Sequence, residues 1–384
     1  TMVKCNKRIM KLRKTINKKW CNHYFKFIKD NPDKPWDWGR IFMNQNINMD
    51  IILDNPMQNW NWYRVSMNPN ITMEFIIDNP DKDWNWFCIS MHPNITWENI
   101  ENNPDKPWKW NYISRNPSIT WDIIRNNPDK PWNWDWMSRN PNITMDMILD
   151  NPDKPWYWYN ISMNPNITMD IIRDNPMKPW NWEAISINPN ITWEIIRDNP
   201  GKEWNWDALS NNPNITWEIV RDNPMRNWNW DNISMNPNIT MDIIKDNPDK
   251  PWNWSWISRN PNITWENIEN NPDNPWDWRG ISYNPNITMD MIRDNPDKPW
   301  EWYGISSNPN ITMEFIIDNH TKPWNWHALS QNPFTKEKEA FLNRKYREHM
   351  AKYKIQQWCL SIIVSPHYKI GRTMIDKKYK ELFT

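Results

Sequence analysis

The chain of 384 residues is poor in the residues that mark several common classes of protein. It has five Gly and four Cys, and the Cys residues have no paired spacing, which argues against a disulfide framework and favours a reducing compartment. So few Gly leave no Gly-rich loop to cradle a phosphate. No run of about 18 apolar residues occurs, so we expect no membrane span. No apolar segment follows the basic start, so we expect no secretory signal and a protein that is not secreted.

The residues that carry catalysis are also scattered. Six His residues are present, and none has metal-ligand spacing with Cys or acids. A catalytic pair of carboxylates needs two dissimilar environments, whereas the acids of this chain recur in identical surroundings. The sequence therefore predicts no enzyme, no metal site and no cofactor.

Tryptophan and proline are abundant, with 35 Trp and 34 Pro, and they mark a repeat of 24 residues. The consensus of the repeat is W-N-W-x-x-I-S-x-N-P-N-I-T-W/M-E/D-x-I-x-x-N-P-D-K-P. The first Trp of each Trp-x-Trp pair recurs at an unbroken step of 24, at Trp36, Trp60, Trp84, Trp108, Trp132, Trp156, Trp180, Trp204, Trp228, Trp252, Trp276, Trp300 and Trp324. Thirteen copies in fixed register predict a solenoid.

Two Asn-Pro steps interrupt each repeat and leave two segments of one to two helical turns. One segment is Ile191 to Asp198, with Thr192 as N-cap. The other is Lys130 to Ser138, with Pro131 suited to a first helical position. We predict one short α-helix and a shorter α or 3₁₀ helix per repeat. Neither is stable alone, so the Trp residues should pack between repeats, with Asn accepting from the indole N–H.

The chain as a whole is predicted to be an all-α solenoid, a superhelix with two ends. The formal net charge is zero, but it is unevenly spread. Residues 1–30 carry ten Lys/Arg and one acid (+9), and we assign them to a basic N-terminal cap. Residues 334–384 carry twelve basic and five acidic residues (+7) and form a basic C-terminal cap helix and tail. The thirteen repeats, 31–333, carry 24 basic and 40 acidic residues (−16). Terminal repeats should present a polar outer face, which would explain the degenerate first repeat.

The stretch N-P-N-I-T-W-E-I-I-R-D-N-P resembles the leucine-rich variant repeat, a bacterial family with 24 residues per unit. The resemblance covers 31–333 and implies a right-handed superhelix of alternating α and 3₁₀ helices. The chain departs from that family at Trp-x-Trp. The Trp-x-Trp form, with the tail segments 351–358 and 365–372, is similar to uncharacterised repeat proteins of mimivirus-like giant viruses. That resemblance implies a host-cell cytoplasmic or virion setting and no known activity.

Repeated polar and aromatic features have both structural and functional interpretations. The acid after each W/M fits a helix start better than a cation-binding ladder. Asn-Ile-Thr is also a glycosylation sequon, but without a secretory signal Thr capping is favoured. Stacking of single-stranded nucleic acid on Trp normally needs a basic groove, and the repeats are acidic. Nucleic acid is therefore not expected on the repeat body, and inter-repeat packing is the favoured role of Trp.

The positions that vary among repeats are the candidate binding face. They are the two residues after each Trp pair and the residue after Ser, and they are rich in Met, Arg, Trp and Tyr, which are typical of contact surfaces. The residues that we select are Arg64, Met67, Tyr112, Arg115, Trp136, Arg139, Met163, Trp256, Arg259 and Tyr283.

Two hypotheses follow. In the first, the protein is a scaffold that binds a host or viral protein, of unknown identity, along this face. In the second, it is a structural or virion protein that self-associates through its basic ends, which dock on the acidic end of another copy.

Overall fold

The computed structural model describes residues 2–364, 369, 372–374 and 377. The chain divides into two compact units. One is the repeat body, Asn31–Pro333, and the other is the terminal unit, Thr1–Asp30 with Phe334–Thr384. The described residues form helices and no strands, which confirms the predicted all-α class. None of the helices in the described ranges has the length and apolar character needed to cross a membrane.

Each repeat contributes a Trp helix, which begins at the second Trp of the Trp pair. The Trp helices are Trp38–Met43 (α2), Trp62–Val65 (α4), Trp86–Met91 (α6), Trp110–Ile113 (α8), Trp134–Met137 (α10), Trp158–Ser162 (α12), Trp182–Ile187 (α14), Trp206–Ser210 (α16), Trp230–Met235 (α18), Trp254–Arg259 (α20), Trp278–Tyr283 (α22), Trp302–Ser307 (α24) and Trp326–Gln331 (α26).

The Trp helices alternate with acidic helices, each of which has Asp or Glu in its first turn. The acidic helices are Met49–Asp54 (α3), Met73–Asp78 (α5), Trp97–Glu101 (α7), Trp121–Asn126 (α9), Met145–Leu149 (α11), Met169–Asp174 (α13), Trp193–Asp198 (α15), Trp217–Asp222 (α17), Met241–Asp246 (α19), Trp265–Glu269 (α21), Met289–Asp294 (α23) and Met313–Asp318 (α25). The position of the acid confirms the helix-start interpretation.

The N-caps set where these helices begin. Thr192 has extended backbone and caps α15, as predicted, although its side chain makes no capping bond, whereas that of Thr72 does. The prediction that Pro131 opens the other helix is wrong. Asn133 is extended (φ −95°, ψ 109°), and its side chain accepts the N–H of Trp136, so α10 begins three residues after Pro131. Of the two predicted helix types the α-helix forms, with Met137 N–H donating to the Asn133 carbonyl at 2.9 Å.

Three aliphatic side chains and the first Trp of each pair form the core of a repeat. In the seventh repeat Ile185 and Ile191 are fully buried, Ile196 is 1% exposed and Trp180 is 8% exposed. Burying such a side chain stabilises the fold by about 1.5–3 kcal/mol. The Trp180 indole donates to the backbone carbonyl of Asn175 at 2.8 Å, which confirms Asn as the acceptor and identifies its carbonyl as the accepting group.

Asparagine side chains join each repeat to the one before it. Asn188 Nδ2 donates to the carbonyls of Ser162 at 3.2 Å and Asn164 at 3.1 Å. Asn190 Nδ2 donates to the carbonyl of Pro165 at 2.7 Å. We call this recurring set the Asn ladder. No buried side-chain nitrogen or oxygen of the described residues lacks a hydrogen-bond partner, so the interfaces between repeats are polar and fully satisfied.

The first repeat packs on the last. Asn44 Nδ2 donates to the carbonyls of Ser330 and Asn332 at 3.0 and 3.1 Å, and the rings of Trp36 and Trp326 meet edge-to-face at 4.8 Å. Asn44 and Ser330 are 286 residues apart. Counted onward around a closed ring of thirteen 24-residue repeats, this separation is equivalent to 26 residues. That is the separation of the corresponding Asn and Ser residues of adjacent repeats, such as Asn188 and Ser162. The repeat body is therefore a closed ring in which every repeat has two neighbours.

Closure revises the predicted role of the first repeat. Its degenerate stretch replaces the ladder Pro by Gln45 but keeps both Asn residues, and Asn46 Nδ2 donates to the Pro333 carbonyl at 2.9 Å. The first and last repeats thus form an interface with each other instead of presenting polar ends to solvent. The solenoid of paired short helices is confirmed, and its two ends are joined.

The terminal unit is an antiparallel pair of long helices, Met2–Asp30 (α1) and Thr335–Val364 (α27), which the repeat body separates in the sequence. The sequence assigns residues 1–30 and 334–384 to two basic caps, and α1 and α27 are the helices of these caps. Trp20 meets Phe341 edge-to-face at 5.4 Å, and Tyr24 contacts Phe334 at 5.9 Å. The tail segment 365–372, used for the viral resemblance, lies outside the described residues apart from 369 and 372.

Closure can be tested with a matched pair of substitutions. Asn68 donates hydrogen bonds to repeat one, and they are equivalent to the bonds that Asn44 donates to repeat thirteen. We expect Asn44→Ala and Asn68→Ala to lower the free energy of unfolding equally, by about 1–3 kcal/mol, because each leaves buried carbonyls unpaired. Urea denaturation followed by far-UV circular dichroism measures both. In an open array Asn44→Ala would remove only the bond from the Asn46 N–H within the first repeat, and it would cost clearly less stability than Asn68→Ala.

Candidate binding face

The Trp helices line the inner side of the ring. Consecutive Trp helices approach each other more closely, Cα to Cα, than consecutive acidic helices do in much of the ring. The inner circumference of a closed ring is shorter than the outer one, so the more closely spaced series must be inside. A Cβ atom at Gly280 would lie 2.7 Å from the Ser255 carbonyl oxygen, and one at Gly304 would lie 2.8 Å from Ser282 Cβ. Glycine at these two positions permits the close approach of α22 to α20 and of α24 to α22.

The ring encloses a wide opening. Packed helix axes lie roughly 8–10 Å apart, so thirteen Trp helices make a circle on the order of 35–40 Å across between axes. Subtracting a helix radius of about 5 Å on each side leaves an opening on the order of 25–30 Å. The inner wall is thus a curved surface that can contact an extended or helical segment. It is too open to enclose a small molecule.

The structure places the predicted candidate residues on the Trp helices or at their last turn, and so on this inner side. None of them is buried. The exposed ones are Arg64, Arg115, Arg139 and Arg259, and the half-buried ones are Met67, Tyr112, Trp136, Met163, Trp256 and Tyr283.

The structure brings several of them together across successive repeats. The Tyr112 ring stands 3.9 Å from that of Phe87 and 6.0 Å from that of Trp136, centroid to centroid. The Arg115 guanidinium lies over the Trp136 ring at 5.2 Å, a cation–π contact. We define the aromatic–arginine arc as the inner-face residues of repeats two to five, namely Tyr63, Arg64, Phe87, Tyr112, Arg115, Trp136 and Arg139.

A second, smaller group lies in repeats ten to twelve. The Arg259 guanidinium lies over the Tyr283 ring at 4.7 Å, and Tyr283 is 6.0 Å from Tyr303. Partial burial and the neighbouring Tyr303 raise the pKa of the Tyr283 hydroxyl above its usual value. Trp256 is on the same wall, whereas Met67 and Met163 belong to neither contact group.

The candidate list missed three members of these groups, Tyr63, Phe87 and Tyr303, which are 52%, 47% and 42% exposed. Each is the first residue after a Trp pair, one of the positions identified as variable. The sequence therefore contained the signal, but the contacts of Phe87 and Tyr303 with residues 20–25 positions away depend on the packing of neighbouring repeats.

The negative charge of the repeat body lies away from the inner wall. The inner segments, each running from the middle residue of a Trp pair to the residue after Ser, contain seven basic and seven acidic residues across the ring. The remainder of the body carries 17 basic and 33 acidic residues, which accounts for the whole −16. The inner charge is also segregated. The inner segments of repeats two to five have four cations and one acid, whereas those of repeats seven to nine have three acids and no Lys or Arg.

The Trp pairs themselves hold repeats together, as predicted. The second Trp of one repeat meets the first Trp of the next edge-to-face, as in Trp134–Trp156 at 4.9 Å. The Lys that precedes the next Trp pair lies over the same indole, as Lys154 does over Trp134 at 5.7 Å. Each of these indoles is therefore already packed against a ring and a cation of the protein, and it is a poor stacking platform for a ligand.

The other recurrent polar groups have structural partners. The sequon asparagine Asn142 donates through Nδ2 to the carbonyls of Pro117 and Ile119 at 2.7 and 3.0 Å, as part of the Asn ladder. Within the described residues, no group of three or more His, Cys, Asp and Glu is placed to hold a metal ion. His327 Nδ1 pairs with Asp37 Oδ2 at 2.6 Å, across the interface between the last repeat and the first.

The close approach of the inner helices gives a test of this geometry. Gly280→Ala should lower the free energy of unfolding by about 1–3 kcal/mol, because the added methyl overpacks the interface. Gly201 has no heavy atom within 4 Å of an added Cβ, and Gly201→Ala should be neutral or stabilise by up to about 1 kcal/mol. Thermal unfolding of the two variants makes the comparison. Equal stability of both would show that the Trp helices are further apart than described.

Comparison with known proteins adds no relative to this picture. No family model, no curated protein and no solved structure matches the chain. The inner wall of the ring is accordingly the basis of the functional proposal.

Proposed function

We propose that the protein is a non-enzymatic scaffold whose ring binds an acidic polypeptide segment of a host or viral protein. The observation that carries the proposal is the aromatic–arginine arc, where Phe87, Tyr112 and Trp136 form a continuous aromatic strip with Arg115 stacked on it. Tyr, Trp and Arg dominate the binding energy of protein interfaces. The arc occupies positions that vary between repeats, so its composition is not imposed by the repeat fold.

Charge indicates the chemistry of the partner. The arc segments carry Arg64, Lys109, Arg115 and Arg139 against Asp135 alone. Positive potential on one side of an interface favours a partner of negative potential and speeds the encounter. Since the inner wall has no net charge around the whole ring, it offers no continuous basic track for a phosphate backbone. An acidic segment of polypeptide fits a local basic arc better than a nucleic acid does.

Peptide selection with variants that borrow residues from other repeats tests this proposal. Asn211 and Ala208 occupy in repeat eight the positions of Arg115 and Tyr112, so R115N and Y112A introduce residues that the fold already accepts. From a random peptide library, wild-type protein should enrich acidic peptides with aromatic residues. Each substitution should weaken their binding by about 1–3 kcal/mol, the usual cost at an interface hot spot.

The matched control for Arg115 is R259N, which removes the same charge at the same repeat position in repeat ten. Binding of the selected peptides should be unchanged in R259N. Enrichment of basic peptides, or equal losses in R115N and R259N measured by calorimetry, would contradict an acidic partner at the arc.

A second candidate function, self-assembly, is favoured by the charges of the two units. The terminal unit carries 22 basic and six acidic residues, or +16, and the repeat body carries −16. The sequence-based hypothesis placed the contact at an acidic end of the array, and ring closure removes that end. The acidic surface that remains is the part of the ring away from the inner wall, so the terminal unit of one copy would dock on the ring of another.

Salt dependence separates the two functions. Assembly through opposite charges should give large particles at low ionic strength that dissolve to monomers as salt shortens the Debye length to about 3 Å near 1 M. Light scattering across a salt series measures this. A monomer of constant size at every salt concentration would exclude assembly and leave the scaffold proposal intact.

A further inference from the structure

The two helices of the terminal unit enclose a groove that is separate from the ring. It has a volume of about 440 Å³ and is formed by one side of α1 and the facing side of α27. The polar and charged residues that line it are Lys11, Thr15, Lys19, Lys345, Glu348, His349 and Lys352. Four lysines thus line one open groove, and a single acidic residue accompanies them.

The one acid does not neutralise the groove. Glu348 accepts from Lys345 Nζ at 2.9 Å, and this hydrogen bond holds the pKa of the Glu348 carboxyl below its usual value. Lys345 and Glu348 therefore form an internal pair, and Lys11, Lys19 and Lys352 supply the surplus positive charge. The ammonium groups of lysines that line a groove are suited to bind phosphate oxygens.

Exposed apolar side chains continue from the groove along α27. Tyr353 lines the groove and is 47% exposed. Leu360 is seven residues further on, two helical turns along the same side, and is 51% exposed. Basic residues beside exposed aromatic and aliphatic ones are typical of helices that lie at a membrane interface, where Tyr sits at the level of the headgroups.

We propose that this groove binds the phosphorylated headgroup of an anionic lipid, with Tyr353 and Leu360 entering the membrane interface. Charge complementarity selects the anion, since the groove has four lysines and the terminal unit is +16. The apolar residues select a bilayer over a duplex nucleic acid, whose phosphates contact polar and basic groups and leave such side chains in water. The site is independent of the arc and of the partner proposed for the ring.

Vesicle sedimentation with the full chain tests the proposal. Wild-type protein should sediment with phosphatidylcholine vesicles that contain phosphatidylserine and remain in solution with phosphatidylcholine alone. The groove variant K11Q/K19Q/K352Q should bind on the order of tenfold to a hundredfold more weakly. The control R13Q/R347Q/K354Q removes the same charge from α1 and α27 at residues that do not line the groove, and it should bind within about threefold of wild type. Circular dichroism verifies that both variants remain helical.

Two further measurements assign the occupant. Tyr353→Ser with Leu360→Ser should abolish sedimentation with anionic vesicles while leaving the binding of inositol hexakisphosphate, a soluble phosphate probe, unchanged. Vesicle binding that survives this double substitution, or equal losses in the groove and control variants, would overturn the lipid site. So would groove-dependent binding of duplex DNA as tight as that of vesicles.

Discussion

The Asn ladder is the interaction on which the rest of the structure depends. Helices of four to six residues are unstable alone, so a repeat exists only while its neighbours hold it. Each net hydrogen bond contributes about 1 kcal/mol, and an unpaired buried group costs more. Where His92 replaces the first ladder Asn, its Nδ1 accepts the Asn94 N–H at 3.2 Å. Burial lowers the pKa of His92, which favours the neutral ring that can accept this bond.

The ladder and the Trp pairs separate the residues that hold the ring together from the residues that are available for binding. Fixed positions, such as Asn188 and Trp180, satisfy the neighbouring repeat. Variable positions, such as Tyr112 and Arg115, project from the same frame onto the inner wall. Every repeat is held by both of its neighbours, so side chains 24 residues apart keep a constant distance and orientation relative to each other. An aromatic strip can therefore extend over several repeats. The helix pair of the terminal unit, with its own core at Trp20 and Phe341, carries a different chemistry.

Periodicity made much of this predictable, and the limits are physical. Asn-Pro steps located both helices and Thr192 marked a helix start, because these effects act within a few residues. The start of α10 was placed too early because the Asn133 cap competes with Pro131 for that role. Closure could not be predicted from one repeat. Closure requires a turn of about 28° at each interface between repeats. That turn comes from a small difference between the inner and outer helix spacing, and it accumulates over thirteen repeats. The contact of Phe87 with Tyr112 depends on that same spacing.

Closure also restricts how this protein can change in length. An open solenoid accepts another repeat at any position, because the geometry of each interface does not depend on the number of repeats. In a ring, a fourteenth repeat would alter the angle at every existing interface by about 2°, and all of the Asn ladders would share that strain. Gain or loss of one repeat by recombination is therefore a change to the whole circle. The angle at each interface sets the number of repeats at thirteen, and such a ring can form with only a narrow range of repeat numbers.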